Sequence, residues 1–194
     1  MSVQPKGLML TGETNALDYL EKAVRFIHET EKNKLAWKWV VLALHGALYG
    51  FAICACKGTN YENVNASKKA GKFRLVILDD ALKMCQDSKH MNMLMDSQHL
   101  RLSDSQKNSI QKLKEELRNK MEHFMPGVWH IEINGMPDIA IDVLDVIRFL
   151  AVDTHTYIHL NQTQQKKVKS CIFQGKRFLK NTRLYHEIHH EVKN

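Results

Sequence analysis

Arg118, Asn119 and His123 are the residues of this sequence whose types and spacing best suit chemistry on a phosphate ester. An arginine guanidinium keeps its charge and binds phosphate oxygens through a planar fork of donors. A histidine imidazole exchanges a proton near neutral pH. Together these groups would suffice for metal-free cleavage of RNA, in which the 2′-hydroxyl attacks the adjacent phosphorus.

The same stretch also has a purely structural explanation. Glu115 lies three residues before Arg118 and Glu122 lies four residues after it, so both carboxylates can pair with the guanidinium across helix turns. Exposed pairs of this kind are common and contribute little to stability. The local pattern therefore leaves open whether Arg118 belongs to a site or to a solvated charged face.

A well-marked helix over residues 102–124 must position these side chains. Ser103 and Gln106 fit a capping box, and Pro126 ends the helix. Apolar residues recur at steps of three and four and form one stripe that must face a core: Ile110, Leu113, Leu117, Met121 and Phe124. At about 100° per residue, Asn119 points almost opposite this stripe, and Arg118 and His123 flank Asn119 roughly 140° apart.

This arrangement resembles the HEPN superfamily (higher eukaryotes and prokaryotes nucleotide-binding). The hallmark of that family is an arginine, four to six residues and then a histidine, usually with a polar residue after the arginine, and Arg118, Asn119 and His123 match it. The following residues, HFMPGVWHIEINGMPDI, are similar to HEPN-like proteins of the abortive-infection and toxin–antitoxin type. The likeness covers about residues 14–160.

The resemblance implies a metal-independent endoribonuclease of stress or phage defence that needs no cofactor. Two copies would form a homodimer in which both motifs face one cleft, and a cognate antitoxin would be a partner. Arg118 would bind the scissile phosphate, His123 would act as acid or base, and Asn119 would orient either group or the RNA. Two alternatives remain: a non-catalytic HEPN-like module that binds nucleic acid or a partner protein, and a structural helical dimer with no site at the motif.

The basic character of the chain is concentrated at its end. The net charge is +7, and from Asn161 onward eight Lys/Arg, including Lys193, stand against two glutamates. A basic helix over about residues 162–190 suits RNA or another polyanion, although a solvated face would have the same composition. The candidate RNA-binding residues are Lys166, Lys167, Lys169, Lys176, Arg177, Lys180 and Arg183.

Length and composition predict one helical domain of 194 residues. Three prolines and nine glycines favour helix over a turn-rich β fold. None of the four cysteines forms a C-x-x-C motif, and the N-terminus lacks a signal-peptide pattern, so we expect a cytoplasmic protein. Apolar periodicity predicts an all-α bundle of about five to six helices, the others spanning residues 16–32, 34–56, 73–86, 138–160 and 162–190.

The helix over residues 34–56 carries no charge from Trp39 to Cys56. About 18 such residues are near the lower limit for a membrane span, but we expect no membrane and a helix buried in a core or a dimer interface. Gly46 and Gly50 would allow another helix to approach closely. His45 is expected to be a hydrogen-bonded core residue that a bundle could place near the cleft.

No metal site is expected from the histidines. Residues 186–190 satisfy H-E-x-x-H, but four residues follow and offer no third ligand, which such a zinc site needs. His155 and His159 are four apart on a predicted helix, with no further cysteine or carboxylate fixed beside them except Asp153.

Overall fold

A computed structural model describes residues 7–67, 69–123 and 126–191, excluding the side chains of His190 and Glu191. In these ranges the fold is all-α, as predicted, and the β structure is limited to an isolated bridge between Asn65 and Leu75. The helices are α1 (Gly12–Glu29), α2 (Ala36–Lys57), α3 (Leu78–Gln86), α4 (Ser88–Met91), α5 (Asp104–Gln111), α6 (Asn119–Glu122), α7 (Met136–Arg148), α8 (Gln162–Lys180) and α9 (Arg183–Glu191). A 3₁₀ turn spans Tyr61–Val64, and π-helical segments span Lys112–Arg118 and Phe149–Asp153.

Helix α2 forms the centre of the bundle. Its side chains are buried on most sides, with Leu48 and Phe51 fully inaccessible, and it packs against α1, α3, α7 and the π-helical segment Lys112–Arg118. By length and composition alone α2 could cross a membrane, and 61% of its most apolar window is buried inside the bundle. The predicted core role of this helix is confirmed by that burial.

Two glycines of α2 allow α1 to lie close against it. A Cβ atom placed on Gly50 would lie 2.7 Å from the Cβ of Ala16, and one placed on Gly46 would lie 2.6 Å from the ring of Tyr19. Both distances are too short for real side-chain contacts. The predicted close approach at these glycines is therefore confirmed, and the approaching helix belongs to the same chain.

Two helices begin elsewhere than predicted. Helix α1 starts at Gly12 because Thr11 and Thr14 form a capping box ahead of the expected start at residue 16. Helix α3 starts at Leu78 because residues 73–77 are extended, with Val76 N–H donating to the Val64 carbonyl at 3.0 Å. Phe73 and Ile77, two apolar residues of the helix predicted over residues 73–86, are consequently 54% and 61% exposed and lie outside the core.

Two other predicted helices are shorter than expected because threonine side chains bind the carbonyls at their ends. The Thr154 hydroxyl donates to the Leu150 carbonyl at 3.1 Å, and the helix over residues 138–160 ends there. The Thr182 hydroxyl donates to the Leu179 carbonyl at 2.7 Å and accepts from the N–H of Tyr185. The predicted single helix over residues 162–190 is therefore two helices, α8 and α9.

Candidate nucleic-acid interface

The helix that carries Arg118 is anchored as the sequence predicts. Ser103 and Gln106 form the expected capping box. The hydroxyls of Ser105 and Ser109 donate to the Asp142 carboxylate at 2.6 and 2.7 Å and tie α5 to α7. The apolar stripe is buried at each described member, Ile110, Leu113, Leu117 and Met121, whereas Phe124 lies outside the described residues.

The central part of this helix is wound more loosely than an α-helix. Lys112–Arg118 is π-helical, and π segments inside α-helices occur frequently at functional sites. Arg118 ends that segment, and His123 ends the whole helix in an extended conformation with φ −94° and ψ 126°. The His123 N–H still donates to the Asn119 carbonyl at 3.1 Å, so His123 stands on the last turn of the helix that carries Arg118.

Arg118 is bound by its own helix. Its guanidinium forms an ion pair with Glu122 and donates to the side-chain oxygen of Asn119 at 3.1 Å. Glu115, the other possible partner, instead pairs with Lys114 at 3.1 Å. Arg118 is half-buried, Asn119 and His123 are exposed, and within the described ranges His123 makes no hydrogen bond to Arg118.

His45 of α2 lies within electrostatic range of Arg118, Glu122 and Lys114. The imidazole is half-buried, and burial lowers its pKa below the ordinary value of 6.5. The positive charges of Arg118 and Lys114 lower the pKa of His45 further, while Glu122 opposes them. A neutral imidazole therefore lies within electrostatic reach of Arg118 in one chain. The sequence offered a signal for this role, since His45 is the only histidine of the helix segment that carries no charged residue.

The basic helix α8 packs through one face. Val168, Ile172, Gly175 and Leu179 are buried, and a Cβ on Gly175 would lie 3.2 Å from Leu144. Phe173 is 64% exposed and lies outside the core, although an aromatic side chain suits burial. The physical reason is its position, because Phe173 follows Ile172 by about 100° and leaves the buried face.

The seven candidate RNA-binding residues divide into two groups. Three of them form ion pairs: Lys167 with Glu21 at 2.5 Å, Lys176 with Asp145 at 2.6 Å and Arg183 with Glu187 at 2.5 Å. The other four are exposed and form no ion pair with any described residue: Lys166, Lys169, Arg177 and Lys180. Only the second group can offer its full charge to a ligand.

Most of the unpaired cations border one groove between α7 and α8, which we call the basic groove. Its volume is about 630 Å³. The lining residues are Asp145, Arg148, Lys169, Ile172, Phe173, Lys176, Arg177, Lys180 and Asn181. Five of these nine residues are Lys or Arg, and the exposed Phe173 lines the same groove. Arg118 is not among them, so the two predicted sites are separate.

The histidine motifs do not assemble a metal site within the described part of the chain. His189 bonds to Asp138 at 3.0 Å, and Glu187 is engaged by Arg183. His155 has φ +52° and bonds to Asp96 at 2.8 Å, so the predicted helical pair of His155 and His159 is wrong. The described residues contain no group of three His, Cys, Asp or Glu side chains that could hold a metal ion.

Neither the protein-family models, nor the curated proteins, nor the solved structures that we compared with this chain match it. The resemblance to the HEPN superfamily therefore stays a prediction that rests on Arg118, Asn119, His123 and their helical setting.

Proposed function

We propose that this protein binds RNA through the basic groove between α7 and α8. The observation that carries the proposal is the meeting of three unpaired cations, Lys169, Arg177 and Lys180, around one cavity of about 630 Å³. Cations that neutralise phosphates release condensed counterions, and this release supplies most of the affinity of non-specific RNA binding.

The test is RNA binding at several salt concentrations, measured by fluorescence anisotropy of a labelled oligonucleotide. The triple variant Lys169→Ala/Arg177→Ala/Lys180→Ala removes three positive charges from the groove. We expect its affinity to fall about tenfold or more, and the slope of log K against log salt to become shallower by about 2, since each phosphate contact contributes about 0.7 for a single strand.

A matched control removes the same charge elsewhere. Lys32, Lys72 and Lys89 are exposed and form no ion pair with a described residue, so their triple alanine variant has the same net charge as the groove variant. Equal losses in the two variants would show that net charge alone attracts RNA. Equal affinity of the groove variant and the parent would refute the proposal.

A second candidate function is metal-independent RNA cleavage at Arg118, favoured by the position of His45. A neutral imidazole near Arg118 could take the proton of a 2′-hydroxyl as its oxygen attacks the adjacent phosphorus. The products would be a 2′,3′-cyclic phosphate and a strand with a 5′-hydroxyl, whose oxygen receives a proton from His123 of the same or a second copy. Arg118 would neutralise the phosphorane, with Asn119 as its positioning residue.

This candidate is tested by incubating RNA with the parent and with the single variants Arg118→Ala, His45→Gln and His123→Ala in the presence of a chelator. We expect cleavage by the parent and a loss of at least about a hundredfold in each variant. Light scattering of the same samples measures whether the active form is a homodimer. A parent that leaves RNA intact, or an Arg118→Ala variant that cleaves equally well, would refute cleavage without affecting the binding proposal.

A further inference from the structure

We infer that the basic groove selects single-stranded RNA, with one base stacked on the ring of Phe173. This inference rests on the proposed RNA binding and adds the substrate class to it. Phe173 lies within the basic groove and is 64% exposed, although it belongs to a helix whose other face is well buried. An exposed aromatic ring that shares a groove with unpaired cations provides a stacking platform beside phosphate contacts.

The register of α8 puts the ring and the charges on one side. Lys169 precedes Phe173 by four residues, Arg177 follows it by four, and Lys180 follows it by seven. At about 100° per residue these side chains lie within one sector of the helix, and one turn of about 5.4 Å separates neighbouring members. Phosphates on either side of a base stacked on Phe173 would therefore meet a cation in each direction.

The ion-paired cations of the basic groove attract phosphate less strongly than its unpaired cations. Lys176 is held by Asp145 at 2.6 Å, and Arg148 lies 3.6 Å from Asp153. Asp145 and Asp153 neutralise these two cations, which therefore attract phosphate less strongly than the unpaired cations of α8. An RNA backbone is thus expected to run along α8, with its bases turned inward over Phe173.

The preference for single-stranded over double-stranded RNA depends on whether the faces of the bases are accessible to Phe173. A duplex keeps its base faces stacked inside the helix, where Phe173 cannot reach them, and offers the groove its phosphates alone. A single strand can unstack one base onto the ring, and such stacking is tolerant of sequence because every base has a π face. Stacking on Phe173 should consequently strengthen the binding of a single strand and leave the binding of a duplex unchanged.

The experiment compares three probes that separate charge from stacking: a uridine 12-mer, a 12-base-pair RNA duplex and inorganic polyphosphate. Phe173→Ala is expected to weaken binding of the 12-mer roughly tenfold. Binding of polyphosphate and duplex should change less than twofold, because neither presents a base face. Phe173→Trp should keep or improve affinity for the 12-mer, and Phe173→Leu should behave like Phe173→Ala.

Tyr61→Ala provides the matched control, because Tyr61 is also an exposed aromatic residue, at 67%, and does not line the groove. It should leave all three affinities unchanged. Circular dichroism melting verifies that each variant folds like the parent.

The outcomes distinguish this inference from the proposal beneath it. A groove triple variant that loses RNA binding, together with a Phe173→Ala variant that binds the 12-mer like the parent, overturns stacking and leaves RNA binding in place. Equal loss of all three probes in Phe173→Ala also overturns stacking. A parent that binds none of the RNA probes overturns both.

Discussion

Replacing Gly50 with alanine tests the close packing of α1 and α2 on which both candidate sites depend. The new Cβ would lie 2.7 Å from the Cβ of Ala16 and 3.3 Å from its Cα, whereas ordinary contacts begin near 3.4 Å. Ala16 is 1% exposed and has no side-chain torsion that could move the clashing atoms away. The two helix backbones must therefore separate by several tenths of an ångström.

The magnitude follows from two opposing effects. Overpacking a close-packed interior costs about 1–3 kcal/mol, and alanine is about 1 kcal/mol better than glycine inside a helix. Because Ala16 cannot move aside, we expect an overpacking cost in the upper part of that range, about 2–3 kcal/mol, and thus a net loss of about 1–2 kcal/mol in the free energy of unfolding. For a chain of this size that loss lowers Tm by about 2–8 °C, measured by calorimetry or by circular dichroism.

Gly46→Ala is the matched control, because it has the same chemistry one turn earlier on α2. Its Cβ would lie 2.6 Å from the ring of Tyr19, which is 42% exposed and can rotate outward. We therefore expect a smaller loss for Gly46→Ala than for Gly50→Ala. Equal or greater stability of Gly50→Ala compared with the parent, or a larger loss for Gly46→Ala, would refute the packing described here.

Two further predictions concern the Arg118 cluster. Burial lowers the pKa of His45 in the folded chain, so just below pH 6.5 the unfolded chain binds a proton more readily than the folded chain. The free energy of unfolding should therefore fall as the pH decreases below about 6.5. Urea titrations at pH 7.5 and 5.5 measure this fall, and His45→Gln should make it smaller. Glu122→Gln should release Arg118 at little cost to stability, since a partly exposed ion pair contributes less than about 1 kcal/mol. If Arg118 contacts RNA, this variant should bind RNA up to about fivefold more tightly in anisotropy titrations, and weaker binding would contradict a role for the freed guanidinium.

The candidate sites differ in how far local sequence could predict them. The basic residues of α8 were identified from composition, but their division into paired and unpaired groups depends on Glu21 and Asp145, which are distant in sequence. At the motif, both possible carboxylate partners of Arg118 were visible within one helix turn. In the structure Glu115 pairs with Lys114, and Glu122 pairs with the guanidinium of Arg118.

The sequence by itself determined the helical class, the core role of α2 and the stripe from Ile110 to Met121. These follow from apolar periodicity and from glycine placement, which act over a few turns of one helix. Thr154 and Thr182 show where periodicity fails, because their hydroxyls bind the last carbonyls of a helix whose apolar pattern continues past them.

Tertiary structure alone decided which side chains meet. It brought His45 of α2 within electrostatic range of Arg118, and it placed Asp145 of α7 beside Lys176 of α8. It also left Phe173 outside the core, although its residue type suits burial. The physical reason is that these relations depend on how helices from distant parts of the chain pack together, and no local spacing encodes that packing.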